Sequence, residues 1–511
     1  MCPPRRKPRH SDEAPRPRAG AFHRAAIRLG ALGLFALGSL GCGGAPAGTA
    51  QAIGSQPVAE VAQEILEGPA KDLNEHLGHT LGPAIPWFGG ANGLALPVAG
   101  GVKWDGMARQ PSASVTRVGL FRLAQPKDAP DLVRRADLYL AGDPGDGFGF
   151  SIAVLPRPGA EPWLVVGAPR SPNSGGSECG TVYGFRPSAF REAPPGATVR
   201  AARASWSIRG DRAGGRLGFA LATVPATTGV EGEFDLLIGE PGSLSSAGFG
   251  GEVWRIPGGR LAELESGSSV DLQQASLAAR SIAAGEPRDA LGCSIAVGEG
   301  DGGSWIAIGA EQSHWDRPKR RWVGPTPKAG GYVLVLGTES SGEGTRRLRG
   351  DQPGGRFGHA LGFGRLVDGR EALAVGAPTA GVVAVVEPGQ LESSLANLRF
   401  EAPEARFGWS LAWLGEGRLA VGAPDGNRVA DDPEPSSLDY RLGSVTVWPI
   451  GSQAGTESTA TPTLRIHGEG TRDHLGCSLV LGRDGRLWAG ALAWPAHPGT
   501  EQGRVYALDL P

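Results

Sequence analysis

Residues 407–424 read FGWSLAWLGEGRLAVGAP, and from Gly443 the chain continues GSVTVW. Three signals sit in this stretch. A Phe-Gly pair is followed by one variable residue and a serine. An apolar run then ends in Gly-Ala-Pro. A Gly-x-Val run of alternating character closes the unit. Glycine permits a tight exit from the second run, and proline ends it because it has no amide hydrogen to give a ladder. The alternation predicts a half-buried strand.

The same order recurs along the chain. The first element, Phe or Leu, then Gly, one variable residue and Ser or Ala, opens six units that carry all three elements. The copies are Phe148-Gly149-Phe150-Ser151, Leu217-Gly218-Phe219-Ala220, Leu291-Gly292-Cys293-Ser294, Phe357-Gly358-His359-Ala360, Phe407-Gly408-Trp409-Ser410 and Leu475-Gly476-Cys477-Ser478. Each is followed by a run of the second kind: WLVVGAP from Trp163, DLLIGEP from Asp235, WIAIGAE from Trp305, ALAVGAP from Ala372, RLAVGAP from Arg418 and RLWAGAL from Arg486. Each unit closes with the third element, at Gly180, Gly251, Gly331, Gly381, Gly443 and Gly503. A seventh, degenerate unit precedes them. Phe88-Gly89 and the run RVGLFRL (Arg117 to Leu123) fit its first and third elements, and its second is not clear. Short strands in radially repeated units, none able to bury its faces alone, predict an all-β fold, a seven-bladed β-propeller over residues 85–511.

Composition agrees with a turn-rich β fold. The chain has 511 residues, with Gly 83 and Pro 42, and the glycines fall at matched places beside apolar runs. The net charge of -2 gives no basic surplus for nucleic acid and no acidic surplus of a disordered solvating chain. The best amphipathic helix is Val58 to Leu66, inside a segment 43–84 read as a linker. Of five cysteines, Cys2 and Cys42 lie in the leader. The remaining three, an odd number, argue against a full disulfide framework, and the lack of a C-x-x-C pair argues against a cysteine zinc site.

Residues 1–42 have the pattern of an export signal. Arginines and one lysine up to Arg28 precede the apolar run LGALGLFALGSL, Leu29 to Leu40, which is too short to span a bilayer. The run ends in Ser39-Leu40-Gly41-Cys42-Gly43, which resembles a bacterial lipobox, although Ser39 stands where leucine is usual. That resemblance implies lipidation of Cys42 and a protein tethered to a membrane surface, periplasmic or outer, without spanning it, the alternative being plain cleavage of the signal nearby.

The paired FG and GAP elements resemble the FG-GAP repeats of integrin α subunits and of many secreted bacterial proteins. The resemblance covers residues 85–511 and implies a propeller whose task is binding, of a protein or glycan partner. It also implies calcium in the loop before the second element, where several carboxylates must converge. Here those loops are degenerate. Glu231, Glu233 and Asp235 stand before one run, and Glu299 and Asp301 before another. Ordinary solvated turns are favoured over calcium sites. By the same resemblance, the variable residues Phe150, Phe219, Cys293, His359, Trp409 and Cys477 form a ring at the mouth of the central channel. They either receive a partner's side chain or fill the axis.

Two insertions fall between second and third elements, on the face where the family binds ligands. Residues 312–329 carry Trp315, Arg317, Arg320, Arg321 and Trp322, a set suited to an anionic protein, glycan or lipid headgroup. Residues 425–442 carry Asp425, Asp431, Asp432, Glu434 and Asp439, and for each insertion plain solvated loop length is the alternative reading. Arg209-Gly210-Asp211 and Arg349-Gly350-Asp351 are read as turns of the repeat, not adhesion signals. No metalloprotease, phosphate-loop or nucleophile-elbow motif occurs. The expectation is a binding module without enzymatic activity. A hydrolase or lyase working at the channel mouth, and a structural part of an envelope assembly, are the alternatives, because fold alone does not choose among them.

Overall fold

A computed structural model describes residues 55–67, 77, 79–86, 94–100, 115–123, 133–190, 192–227, 231–245, 248–264, 266–300, 303–312, 314–316, 321–323, 330–338, 345–399, 406–426, 442–451, 461–469, 473–492 and 503–510. All of them fall within one compact unit, Ala52–Pro511. Cys42 and the leader, together with Phe88 and Gly89, Asp301, Arg317 and Arg320, lie outside the described residues. No described helix is long and apolar enough to cross a membrane.

Seven small sheets form a ring, which makes the protein an all-β seven-bladed propeller. Blade 1 contains Thr80–Leu81, Leu94–Gly100, Val115–Arg122 and Leu138–Pro144. Blade 2 contains Ser151–Leu155, Trp163–Ala168, Thr181–Phe185 and Trp206–Arg209. Blade 3 contains Ala220–Pro225, Phe234–Glu240, Glu252–Ile256 and Arg280–Ala284. Blade 4 contains Leu291–Gly300, Gly303–Ala310, Tyr332–Gly337 and Arg346–Arg349. Blade 5 contains Ala360–Arg365, Glu371–Ala377, Val382–Glu387 and Gln390–Arg399. Blade 6 contains Ser410–Gly415, Arg418–Ala423, Ser444–Pro449 and Leu464–His467. Blade 7 contains Leu475–Leu481, Leu487–Ala491, Arg504–Leu508 and, as its fourth strand, Ala62–Glu67. The first strands of successive blades pack side by side round a closed circle, with Thr80–Leu81 against Leu475–Leu481, so they are innermost. The second strands are buried on both faces, as in Trp163–Ala168 and Leu487–Ala491, which is why they read as unbroken apolar runs.

The repeated residues hold one blade to the next. Each FG glycine is left-handed, with φ between 83° and 91° in all six copies, a conformation that a side chain resists. The amides of Gly149, Gly218, Gly358 and Gly408 donate to the carbonyl of the GAP glycine in their own blade, at 3.0 Å for Gly149 to Gly167 and 3.1 Å for the other three. The FG glycine's own carbonyl lies against the GAP glycine of the preceding blade. A Cβ on Gly167, Gly239, Gly309, Gly376 or Gly422 would collide with the carbonyl oxygen of Gly218, Gly292, Gly358, Gly408 or Gly476. The serine of the motif completes the contact. The hydroxyls of Ser151 and Ser410 donate to Gly218 and Gly476 of the next blade, each at 2.7 Å, and that of Ser294 to Gly358 at 2.6 Å. Replacing Ser151 or Ser410 by alanine should therefore cost about 1 kcal/mol each, seen as a lower urea midpoint with an unchanged slope. Blades 3 and 5 carry Ala220 and Ala360 at this position, so the loss is tolerated.

A second device binds blades at their outer rims. The connection between third and fourth strands leaves its own blade and adds a short parallel strand to the preceding one. Thr198–Arg200 pairs with Leu138–Pro144, Ser268–Asp271 with Trp206–Arg209, and Val133–Arg135 with Ala62–Glu67; Ser55–Pro57, just ahead of blade 7's fourth strand, pairs in the same way with Leu464–His467.

Three sequence expectations are corrected. The helix expected over Val58 to Leu66 is a single turn, Val58–Val61, and Ala62–Glu67 is a strand. Tertiary pairing overrides the helical spacing here: Ile65, Leu66 and Glu67 pair with Tyr506, Val505 and Arg504. Segment 43–84 thus supplies strands to blades 6, 7 and 1, and the ring's sheets begin before residue 85. The first element of the degenerate unit is Leu77-Gly78-His79-Thr80 in place of Phe88-Gly89. Leu77 makes the parallel bridge to Gly503 that Leu217, Leu291, Phe357 and Leu475 make to Gly180, Gly251, Gly331 and Gly443. The unclear second element is Leu94–Gly100, where Ala99 opposite Thr80 takes the place of the GAP glycine, as Gly167 stands opposite Ser151. The third element at Arg117 to Leu123 lies where the repeat places it, in Val115–Arg122.

Candidate functional site: the ring at the channel mouth

Each variable residue of the first element stands at the start of an innermost strand, immediately before it in five blades and as its third residue for Cys293 and Cys477, so the seven stand around the axis at one end of the channel. Their order is His79, Phe150, Phe219, Cys293, His359, Trp409 and Cys477. His79 completes the ring but was not picked out by a pattern that admitted only Ser or Ala after it. Thr80 also bonds to the next blade, its hydroxyl donating to the Phe150 carbonyl at 3.0 Å, one residue past the glycine, so a pattern admitting threonine would have found it.

The ring has two unlike arcs. On one, His79 and Phe150 have ring centroids 5.4 Å apart, and Phe150 and Phe219 4.4 Å apart, both pairs tilted. On the other, His359 lies 4.3 Å from Trp409, and the guanidinium groups of Arg356 and Arg406 stand 5.6 and 5.4 Å from the Trp409 ring. All five of these aromatic ring members are half-buried, keeping part of their surface open at the mouth. Arg356 and Arg406 occupy the left-handed position before the Phe-Gly pair, with φ 59° and 56°, which aims them at this end.

Carboxylates fix the cationic arc. Glu311 accepts from Arg356 at 2.6 Å and meets Nδ1 of His359 at 2.7 Å. Asp425 accepts from Arg406 at 2.7 Å and meets Nδ1 of His474 at 3.1 Å. Each acid is thus shared between an arginine and a histidine. That arrangement orients the arginines. Between the arcs stand the thiols of Cys293 and Cys477, pushed up to about 12 by burial, and at Cys293 next by the Glu311 charge. Neither supplies a thiolate at neutral pH.

The other expected sites lie elsewhere. His314–Asp316 and Arg321–Val323 form a two-stranded hairpin on blade 4, with Trp315 opposite Trp322 and Asp316 opposite Arg321. Asp235, an expected calcium ligand, is a buried partner of Arg255 at 2.6 Å and accepts the Gly258 amide at 3.2 Å. A guanidinium thus takes the place of a cation there. Glu231 is exposed, Glu233 half-buried and Glu299 exposed. Among the described residues no three His, Cys, Asp or Glu side chains converge as a metal site requires.

Glu240 replaces the alanine of GAP in blade 3 and is fully buried. The Trp254 indole donates to its Oε2 at 2.9 Å, while Oε1 has no partner. Burial pushes this carboxyl up to about 7, against the Trp254 hydrogen bond and the Arg212 charge. Folding therefore tightens its hold on a proton, and stability falls as pH rises from the unfolded value of 4.5 to about 7, then levels. The loss amounts to about 3 kcal/mol. Glu240→Gln should abolish that slope and leave the protein more stable than the parent at about pH 8, as read by urea unfolding at about pH 5 and about pH 8.

No protein-family model matches this chain, and no curated protein matches it. The fold and the ring define it as a seven-bladed propeller with an asymmetric aromatic and cationic channel mouth.

Proposed function

We propose that this protein is an exported propeller of the FG-GAP, integrin-α-like kind, tethered through Cys42, that binds a protein or glycan partner at the channel mouth. The half-open ring carries the reading. A mouth serving only as packing would be closed by buried apolar side chains. Here the aromatic faces stay partly open, and two oriented arginines flank Trp409. Such amphipathic anchors dominate binding energy at interfaces. The repeat, with its glycine and serine contacts, supports the family reading, and the leader supports export.

The test is capture of partners from envelope extract by the chain from Gly43 onward, beside a Phe150→Ala/Trp409→Ala variant whose fold is checked by circular dichroism. A partner held by the parent and lost by the folded variant is the expected result. The same partners on both would remove the ring from the site. Cys42→Ser should abolish labelling by a radioactive fatty acid. Labelling that persists would refute the tether.

A further inference from the structure

The rim lacing is absent from one place where its absence has a visible cause. In blade 5 the third and fourth strands are joined by Pro388-Gly389 alone, with Glu387 opposite Gln390. No connection is left to reach back to blade 4. The outer edge of Arg346–Arg349 therefore ends its sheet, and no described residue pairs with it. An exposed strand edge is a template for another strand.

Blade 2 shows what such an edge accepts. Its fourth strand, Trp206–Arg209, takes the parallel strand Ser268–Asp271 in the register Ser207 to Ser269, Ile208 to Val270 and Arg209 to Asp271. The Ser207 and Ser269 hydroxyls are 2.9 Å apart, and Arg209 bonds Asp271 at 3.0 Å. Arg349 is the counterpart of Arg209. It stands opposite Tyr332 as Arg209 stands opposite Thr181, each opposite the residue after the third-element glycine. Both arginines open an Arg-Gly-Asp turn, and Gly350 donates to Gly331 at 3.0 Å as Gly210 donates to Gly180 at 2.9 Å. In the same register Arg347 replaces Ser207 and Leu348 replaces Ile208. Arg347 and Arg349 are exposed, and Leu348 is half-buried. Arg347 rests over the Tyr332 ring at 4.3 Å, and Arg346 reaches the Gly389 carbonyl. Among the described residues Arg349 has no acidic partner where Arg209 has Asp271.

We propose that the outer edge of blade 4 docks an extended acidic segment of a partner protein. The segment adds as a parallel fifth strand, with a carboxylate opposite Arg349, an apolar side chain beside Leu348 and a second carboxylate opposite Arg347. Backbone hydrogen bonds supply the attachment, and the two arginines select the charge pattern and fix the register. This surface is separate from the ring and does not depend on it.

The probe is a fluorescein-labelled peptide copying Gly267–Leu272 with Ser269→Asp, titrated with the full chain and followed by anisotropy. Saturable binding is expected, about tenfold weaker with Arg349→Glu and recovered when lysine replaces the peptide's last aspartate. A peptide N-methylated along its bonding edge keeps its charges and should lose binding. Equal binding of the methylated peptide would reduce the effect to charge attraction and overturn strand addition. An unchanged affinity for Arg349→Glu, or no saturable binding, would overturn the site. Should Arg349→Glu fail to fold, the methylated and charge-swapped peptides decide on the parent chain. A concentration-dependent dimer, lost in Arg349→Glu on sedimentation, would assign the edge to a second copy and overturn the partner reading.

Discussion

A chain beginning at residue 68 will fail to form a cooperative propeller, and a synthetic peptide of residues 55–67 added to it will restore one. Ala62–Glu67 is the fourth strand of blade 7, so the first part of the propeller sequence closes the last blade. Its removal bares the edge of Arg504–Leu508 and takes away the partner of Val133–Arg135. It also exposes the surfaces that Ile65 and Leu66 cover, worth about 1.5–3 kcal/mol for each side chain. Two ion pairs go with it: Glu64 with Arg486 at 3.2 Å, and Glu67 with Arg504. Against a total stability of about 5–15 kcal/mol for a folded domain, the sum is decisive. Near-ultraviolet circular dichroism and urea unfolding read the outcome. A truncated chain that unfolds with the parent's midpoint would show that the ring does not need this strand.

Asp235→Ala is expected to destabilise the protein by about 3–5 kcal/mol, the cost of leaving a buried charge uncompensated. Asp235 and Arg255 are both almost wholly buried, 6% and 5% exposed. Once the carboxylate is gone, the guanidinium keeps the Pro225 carbonyl at 3.3 Å. The Gly258 amide also loses its acceptor. The double variant Asp235→Ala/Arg255→Met should regain most of the loss, because it removes both charges together and keeps the stem's volume. A single variant as stable as the parent would overturn the assignment. So would a double variant no better than Asp235→Ala.

Much of this protein was legible because its repeat is a local code. A left-handed glycine, a strand end without a donor and an alternating run each have a residue requirement at a fixed place. Six copies in one order point to blades whatever the surrounding residues do. The glycines and serines were visible as a pattern, but their task was not. That Gly167 lies against the Gly218 carbonyl, or that Ser151 bonds to it across 67 residues of chain, depends on two blades meeting. The calcium loop shows the same limit. Asp235 stands at a ligand position by spacing, and only packing sets Arg255 against it.

The strand Ala62–Glu67 marks the boundary most clearly. Its local spacing suits a helix, and its strand conformation comes from an edge supplied by residues more than 400 positions later. The ring was foreshadowed almost residue by residue, since the sequence pattern marks six of the seven variable positions that form it. Its division into an aromatic arc and a cationic arc held by Glu311 and Asp425 arises from side chains of different blades meeting at the axis. By itself the sequence determined the number and kind of blades and the positions that face the axis, because these rest on backbone geometry repeated in each unit. Closure of the ring, the state of the acids and the open edge of blade 4 were decided by tertiary structure, because each depends on which distant segment arrives beside it.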